Sequence, residues 1–522
     1  MNAICSCFTA WSTWCTLWAV PSALVLILAA LHFARHKKKP KWLLRKIEWL
    51  RTFYVWLGAL AILGGTWAFF LPIALNSGFT KNDDGPVLRQ LLIYATGGLL
   101  GAITLGETRR KNDQEHMRQV HAERRSRYTK AVEQLADEKA PIRLGGVYTL
   151  AKLVDDWLDD EKTLPSEKER RQEGQIIIDS LCAYIRSSFP LAERYDELTL
   201  SYEEYQQKYQ DNQGKNQSTQ SVENSADNST PKPEEHQDNK QSREEFVRDK
   251  SIFREEQEVR QTILSEIEKR LNGGTTKNKD GRDEIKPGTW SYFEYDFSNA
   301  VFFYPTDFRS SLFGNSSNFF QATFTVGANF SNVKFTRSAN FSGATFIEHA
   351  NFPNVKFTED ADFSMAEFTG YAYFSIAEFT KKANFSKAKF TDADFSMAEF
   401  TGSADFFEAK FTDADFSWAE FTGYAYFSMA EFTKNANFST AKFTKNANFS
   451  GATFEEKPQF EYALGNKTYK ARFSCKADSK DYNFEVSPDS PYKIETEEKE
   501  YNETKFIIPK GTELFDPDEP SE

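Results

Sequence analysis

The chain has 522 residues, a formal net charge of −12 and 15% aromatic residues, with 48 phenylalanines dominating the aromatic count. Its five cysteines (Cys5, Cys7, Cys15, Cys182 and Cys475) are too few and too scattered for a disulfide framework. Basic residues gather near the N-terminal apolar runs, so the rest is more acidic than the total suggests, and no basic stripe with interleaved aromatics marks a nucleic-acid surface.

Three apolar runs open the chain, at about 11–34, 53–75 and 87–105. The first two are long enough to cross a hydrocarbon core of about 30 Å. The third carries Arg89 and Gln90 near its start and is marginal by itself. Basic segments, RHKKKPKWLLRKIEWLR and RRKNDQEHMRQVHAERRSR, follow the first and third runs, whereas the short NSGFTKNDDGP between the second and third is mildly acidic. The positive-inside rule therefore predicts a multi-pass cell-membrane protein with its N-terminus outside and everything after about residue 107 in the cytoplasm. Trp11, Trp14, Trp18, Trp42, Trp49 and Trp56 lie where interfacial belts lie. Lysines rather than a small-residue cleavage site follow the first run, which argues against a removed signal peptide. Gly97 and Gly101 suit a helix-packing face, or simply belong to a helix rich in small residues. Cys5 and Cys7 could pair outside the membrane or stay free.

Residues 108–204 read as a helical module: YTKAVEQLAD, RLGGVYTLAKLVDDWL and GQIIIDSLCAYIRSSF each space apolar residues by three and four. Pro141 fits a first helical turn, and Gly145 and Gly146 suit close helix packing. Residues 205–245 hold almost no apolar side chain and predict a disordered insertion. Helical spacing resumes over 246–272, a segment expected to pack back on 127–190, and 273–290 reads as a linker.

From Phe297 to Phe454 a phenylalanine recurs every five or six residues, with a small residue, usually Ala, two positions before it. Such a period fits neither a helix nor a flat strand; it fits a chain that turns a corner at every unit and stacks Phe on Phe from coil to coil. The alternative, a two-sheet sandwich, predicts less regular strands punctuated by Gly or Pro. These units resemble the pentapeptide repeat proteins, with pattern A-(D/N)-(L/F)-x-x, over about residues 291–454. The resemblance implies a right-handed quadrilateral β-helix. It places the structural Phe ladder at Phe330, Phe341, Phe352, Phe363, Phe374, Phe385, Phe395, Phe406, Phe416, Phe427, Phe438 and Phe449. The inward position two before falls on Ala328, Ala339, Ala350, Ala361, Ala383 and Ala393. An extra residue after most second units gives an eleven-residue period; it is expected to bulge at a corner, with a three-sided helix as the alternative. Arg143, Leu144, Gly145, Gly146, Val147, Tyr148 and Leu150 also match a motif of the helical segment that lies between anchor and repeats in bacterial membrane members of the family. A rod of about seven coils at a rise of about 4.8 Å would be roughly 35 Å long. Residues 455–515 predict a β-rich cap built on Phe460, Phe473, Phe484 and Phe506, and 516–522 a disordered tail. Residues 360–391 recur nearly unchanged at 413–444, the mark of an internal duplication.

No catalytic motif emerges. Neither HExxH, paired CxxC nor a phosphate-cradling GxxxxGK[ST] occurs, and His116 and His121 fall on a charged helix. Asp362, Asp394, Asp405 and Asp415 read as outward rows rather than an acid–base pair. No cofactor, metal site or catalytic residue is expected. The repeat region holds 18 acidic and 12 basic residues. The predicted role is protein interaction or scaffolding at the cytoplasmic membrane face. Membrane lipids are one partner, through the three apolar helices and the basic segments, and an unidentified protein is another; a homo-oligomer stays open. Some pentapeptide repeat proteins resemble DNA and bind DNA gyrase, and that alternative requires a continuous negative stripe along one face of the rod.

Overall fold

The computed structural model describes residues 53–74, 85–208, 235–277 and 283–519. The apolar run at 11–34, the Cys5–Cys7 pairing, the basic stretch that follows the first run and residues 209–234 of the polar tract lie outside the described residues. The chain divides into two compact units, Met1–Glu123 and Arg124–Glu522.

In the first unit, α1 (Phe53–Ala74) contains no charged residue. The second helix, α2 (Gly85–Leu135), runs 51 residues without interruption. The expected boundary at residue 107 therefore falls inside a continuous helix, because the charged sequence after the apolar run is itself rich in helix-forming Arg, Lys, Glu and Gln. Among the described residues one helix, Pro86–Leu135, is long and apolar enough to cross a membrane, and Leu57–Phe69 is a shorter apolar stretch. Among the described residues a Cβ at Gly97 or Gly101 meets nothing within 4 Å. The close approach is at Gly64, where a Cβ would lie 2.1 Å from Thr96 Cγ2.

The second unit begins with a helical module: α3 (Ala140–Leu158), α4 (Glu167–Arg186) and α5 (Glu235–Leu271). Pro141 occupies the first turn of α3, and Ser166 caps α4 by accepting from Glu169 N–H. Val147, Leu150, Val154, Ile178, Leu181, Ile185, Val259 and Ile263 make its core. Of the two glycines in α3 only Gly146 is packed, a Cβ there falling 2.8 Å from Ala131 O, while Gly145 faces open space. Helix α5 starts at Glu235, well before the expected residue 246, because its first turns are polar but still helix-compatible. Residues expected as a linker instead form an antiparallel hairpin, Asn272–Lys277 with Asp283–Pro287.

The repeats coil into a β-solenoid. Each coil presents four short strands, and every strand pairs in parallel with its equivalent one coil away. One coil illustrates the four faces: Ala339–Asn340, Thr345–Phe346, Ala350–Asn351 and Lys356–Phe357. The next coil begins at Ala361, in register with Ala339. The eleven-residue period is thus half a coil, and four sides, not three, close the helix. The extra residue lengthens alternate corners; it is missing in KFTDAD at Lys389–Asp394, where two faces run on as one longer strand, as they also do at Glu367–Tyr373 with the extra residue present. At the shorter corners a β-turn forms, for example with Ala344 N–H donating to Phe341 O at 3.0 Å.

Inside, Phe stacks on Phe: Phe319 on Phe341 at 4.7 Å and 2°, Phe341 on Phe363 at 4.8 Å and 1°. Neighbouring columns meet edge-on, as Phe330 does Phe341 at 88°. All twelve ladder residues from Phe330 to Phe449 are fully buried. Each contributes about 1.5–3 kcal/mol by burial and about 0.5–1.5 more through ring geometry.

Both ends are covered. The helical module closes the first coil: Trp290 Nε1 donates to Asp155 Oδ1 at 2.9 Å, and Arg270 sits over the Trp290 ring while pairing with Asp155. Arg260, almost fully buried, donates to Glu256, Ile185 O and Ser187 O beneath Phe303. At the far end Arg472–Ser474, Tyr482–Asn483 and Glu513–Phe515 extend the ladders, and hairpins at 461–470 and 496–509 flank them.

Candidate interaction surface

What the solenoid exposes is the middle residue of each strand and the corner residues. The middle Asp or Asn shapes the fold before it offers a surface. Asp394 Oδ1 accepts from Ser396 N–H at 2.8 Å, Asp415 Oδ1 from Ser417 N–H at 2.8 Å, and Asn340 Oδ1 from Ser342 N–H at 3.0 Å. This Asx turn starts the corner, and either residue type supplies the acceptor oxygen. Where Asn lies one coil from an Asx residue, its amide also bridges coils, as Asn384 to Asp362 at 3.0 Å and Asn437 to Asp415 at 3.0 Å. Asp362 and Asp405 stand on one face and Asp394 and Asp415 on another, so the four carboxylates do not converge. The sequence signal for this role was present: Asp and Asn alternate freely at one position, as turn acceptors can and catalytic acids cannot.

The outward rows carry mixed charge. On the fourth face the row reads Lys334, Lys356, Glu378, Glu399, Glu420, Lys442 and Arg472. On the second it reads Glu367, Lys389, Lys410 and Glu431 between threonines. Lys389 pairs with Glu367 at 2.5 Å, Lys410 with Glu431 at 2.8 Å, and Lys356 with Glu378. A continuous negative row, which mimicry of DNA would need, is absent from the described faces. Acidic residues gather where the chain enters the third face: desolvation first, then Asp413 and Asp394, raise the Asp392 carboxyl above its ordinary value.

The shorter corners hold the left-handed residues. Asn299, Gln321, Gly343, Met365, Lys387, Glu408, Met429 and Gly451 line one corner, and Ser310, Asn332, Asn354, Ile376, Met397, Trp418 and Thr440 line the opposite one. Positive φ at the third turn residue is the type II geometry, which favours Gly or Asn.

Among the described residues no group of three or more His, Cys, Asp or Glu side chains is placed to hold a metal ion. Cys182 is buried, and burial pushes its thiol up to about 12, where it is inert as a nucleophile.

Family models of pentapeptide repeats match residues 319–366, 380–403 and 419–463, segments that coincide with the four-sided coils. The coils of the solenoid are pentapeptide repeats. No curated protein and no solved structure matches the chain. As a pentapeptide repeat protein it departs from the simple pattern in its alternating five- and six-residue sides and in the helical module that closes its first coil.

Proposed function

We propose that this pentapeptide repeat protein is a membrane-anchored interaction scaffold that presents its solenoid at the cytoplasmic face. The observation that carries the reading is the division of labour within each repeat: Phe and Ala are used up in the core, the Asx residue in the corner, and the remaining positions form long, charged, outward rows. Anchoring is supported by the apolar runs near the N-terminus, by the apolar part of α2 and by the basic segments after the first and third runs. The basic segments suit anionic headgroups as well as topology.

Deleting the repeats would expose the aromatic end of the helical module, Trp290 and Phe293, and so confuse loss of a partner with damage to the module. A cleaner test keeps the fold and reverses surface charge. Crosslinked pull-downs from membranes should lose discrete partners when Glu378, Glu399 and Glu420 are all changed to Lys. A C-terminal tag should be protected from protease in sealed, right-side-out cells and cleaved in inverted vesicles. An unchanged partner set together with a tag cleaved from outside would overturn the proposal.

A further inference from the structure

We infer that the corner carrying Ile376, Met397 and Trp418 is a docking ridge for a basic amphipathic helix. These residues sit in three consecutive coils, since Ile376 N–H donates to Ser396 O and Met397 N–H to Ser417 O. Each is half-exposed, between 50% and 54%. Each adopts positive φ, 59°, 56° and 62°. Elsewhere along the same corner stand Ser310, Asn332, Asn354 and Thr440, all small or polar, and the two asparagines suit that conformation. A left-handed residue with a large side chain costs about 1–2 kcal/mol. Neither backbone geometry nor burial accounts for Ile, Met and Trp here, so the chain carries three exposed apolar side chains at its least suitable positions.

The internal duplication isolates the same feature. Residues 360–391 and 413–444 differ at four positions, and three of these (Met365/Trp418, Ile376/Met429, Lys387/Thr440) are left-handed corners. The copy is half a coil out of phase, so Met365 lies on one corner and Trp418 on the other. On the first corner the apolar run is broken, because Lys387 and Glu408, an ion pair at 3.5 Å, separate Met365 from Met429. On the second it is continuous, and it is prolonged by the hairpin at 461–470: Tyr469 lies 5.9 Å from Trp418 and pairs across the hairpin with Tyr462.

Charge selects the occupant. Along these three coils the ridge is flanked by Glu378, Glu399 and Glu420 on one side and by Asp394 and Asp415 on the other; the fourth-face row turns basic on either side of that stretch, where Lys356 pairs with Glu378 and Lys442 with Glu420 and leave the centre of the stretch acidic. A second copy docked ridge to ridge would set acid against acid, and an anionic lipid surface would be repelled. A helix with an apolar stripe and Lys or Arg beside it meets both requirements. Its i to i+3 and i+4 steps advance about 4.5–6 Å, close to the coil rise of about 4.8 Å, so successive apolar residues can fall between successive ridge side chains.

The inference rests on the solenoid being an interaction surface, and its test reads the ridge alone. A photoreactive phenylalanine analogue replaces Met397 in the full-length chain in nanodiscs, or Met365 as the control on the opposite corner. The probe is a synthetic amphipathic helix of Leu and Lys, beside a scrambled peptide of equal charge, with adducts mapped by mass spectrometry. Adducts should form at position 397 with the amphipathic peptide and fall about tenfold with the scrambled one, at position 365, and in the Trp418→Gly and Ile376→Gly double variant, whose corners glycine suits. Equal adducts at both corners, equal capture of the scrambled peptide, or a 397 adduct to a second copy of the chain would overturn it. If outward faces still crosslink a cellular partner in that event, the scaffold reading stands and the ridge fails.

Discussion

At the scale of the residue, two positions explain most of the repeat. The Asx side chain starts the corner and the residue three later finishes it with positive φ. Ile376 is a β-branched residue in that left-handed position. Ile376→Gly should therefore stabilise the chain by up to about 1 kcal/mol, the strain relieved exceeding the entropy glycine adds to the unfolded state; a lower thermal midpoint would show that its exposed side chain contributes packing instead. Asp392 makes a pH prediction. Its folded pKa is raised, by desolvation and then by Asp413 and Asp394, so the folded chain binds this proton more tightly than the unfolded one. That contribution favours folding in acid and is lost as pH rises through the carboxylate range. Asp392→Asn should raise the thermal midpoint at neutral pH, with the gain shrinking toward pH 3; an equal gain at both would assign it to something other than charge.

At the scale of the element, stability comes from columns. Phe395 stacks between Phe374 at 4.9 Å and Phe416 at 5.0 Å, and is fully buried. Phe395→Ala should cost about 3–5 kcal/mol in denaturant unfolding, whereas Phe395→Leu should cost markedly less. The longer corners have a different limit. A Cβ on Gly423 would fall 1.9 Å from Gly402 O in the preceding coil, so Gly423→Ala should destabilise although its φ is not left-handed. Wild-type stability in that variant would mean the coils can separate locally without loss.

At the scale of the whole molecule, nearest-neighbour coils make the solenoid modular. Excising 393–413, one register repeat from Ala393 to its partner Ala414, should leave a cooperatively folded chain with a somewhat lower midpoint. The inward Phe and Ala were legible because periodicity reports directly on stacking, and the four sides because the repeats resemble a known family; the closing β-structure was legible from its scattered aromatic residues. The N-terminal cap was not: Trp290, Phe293, Phe303 and Arg260 make contacts across long sequence separations that no local period encodes. The first turns of α5, before residue 246, and the hairpin at 272–287 were missed because their polar sequences carry no burial pattern. The apolar ridge was hidden as well, since Ile376, Met397 and Trp418 align only once the register of 21 or 22 residues is known.

The most direct test of the scaffold reading is a photocrosslinking scan in native membranes. One outward position per face would be replaced in turn: Asp405, Lys389, Tyr373 and Glu399. Adducts to a discrete protein partner are expected, concentrated on adjacent faces and weak on those opposite. Absence of protein adducts from all four faces, with adducts arising only from the helical module, would reduce the solenoid to a spacer and contradict the scaffold reading.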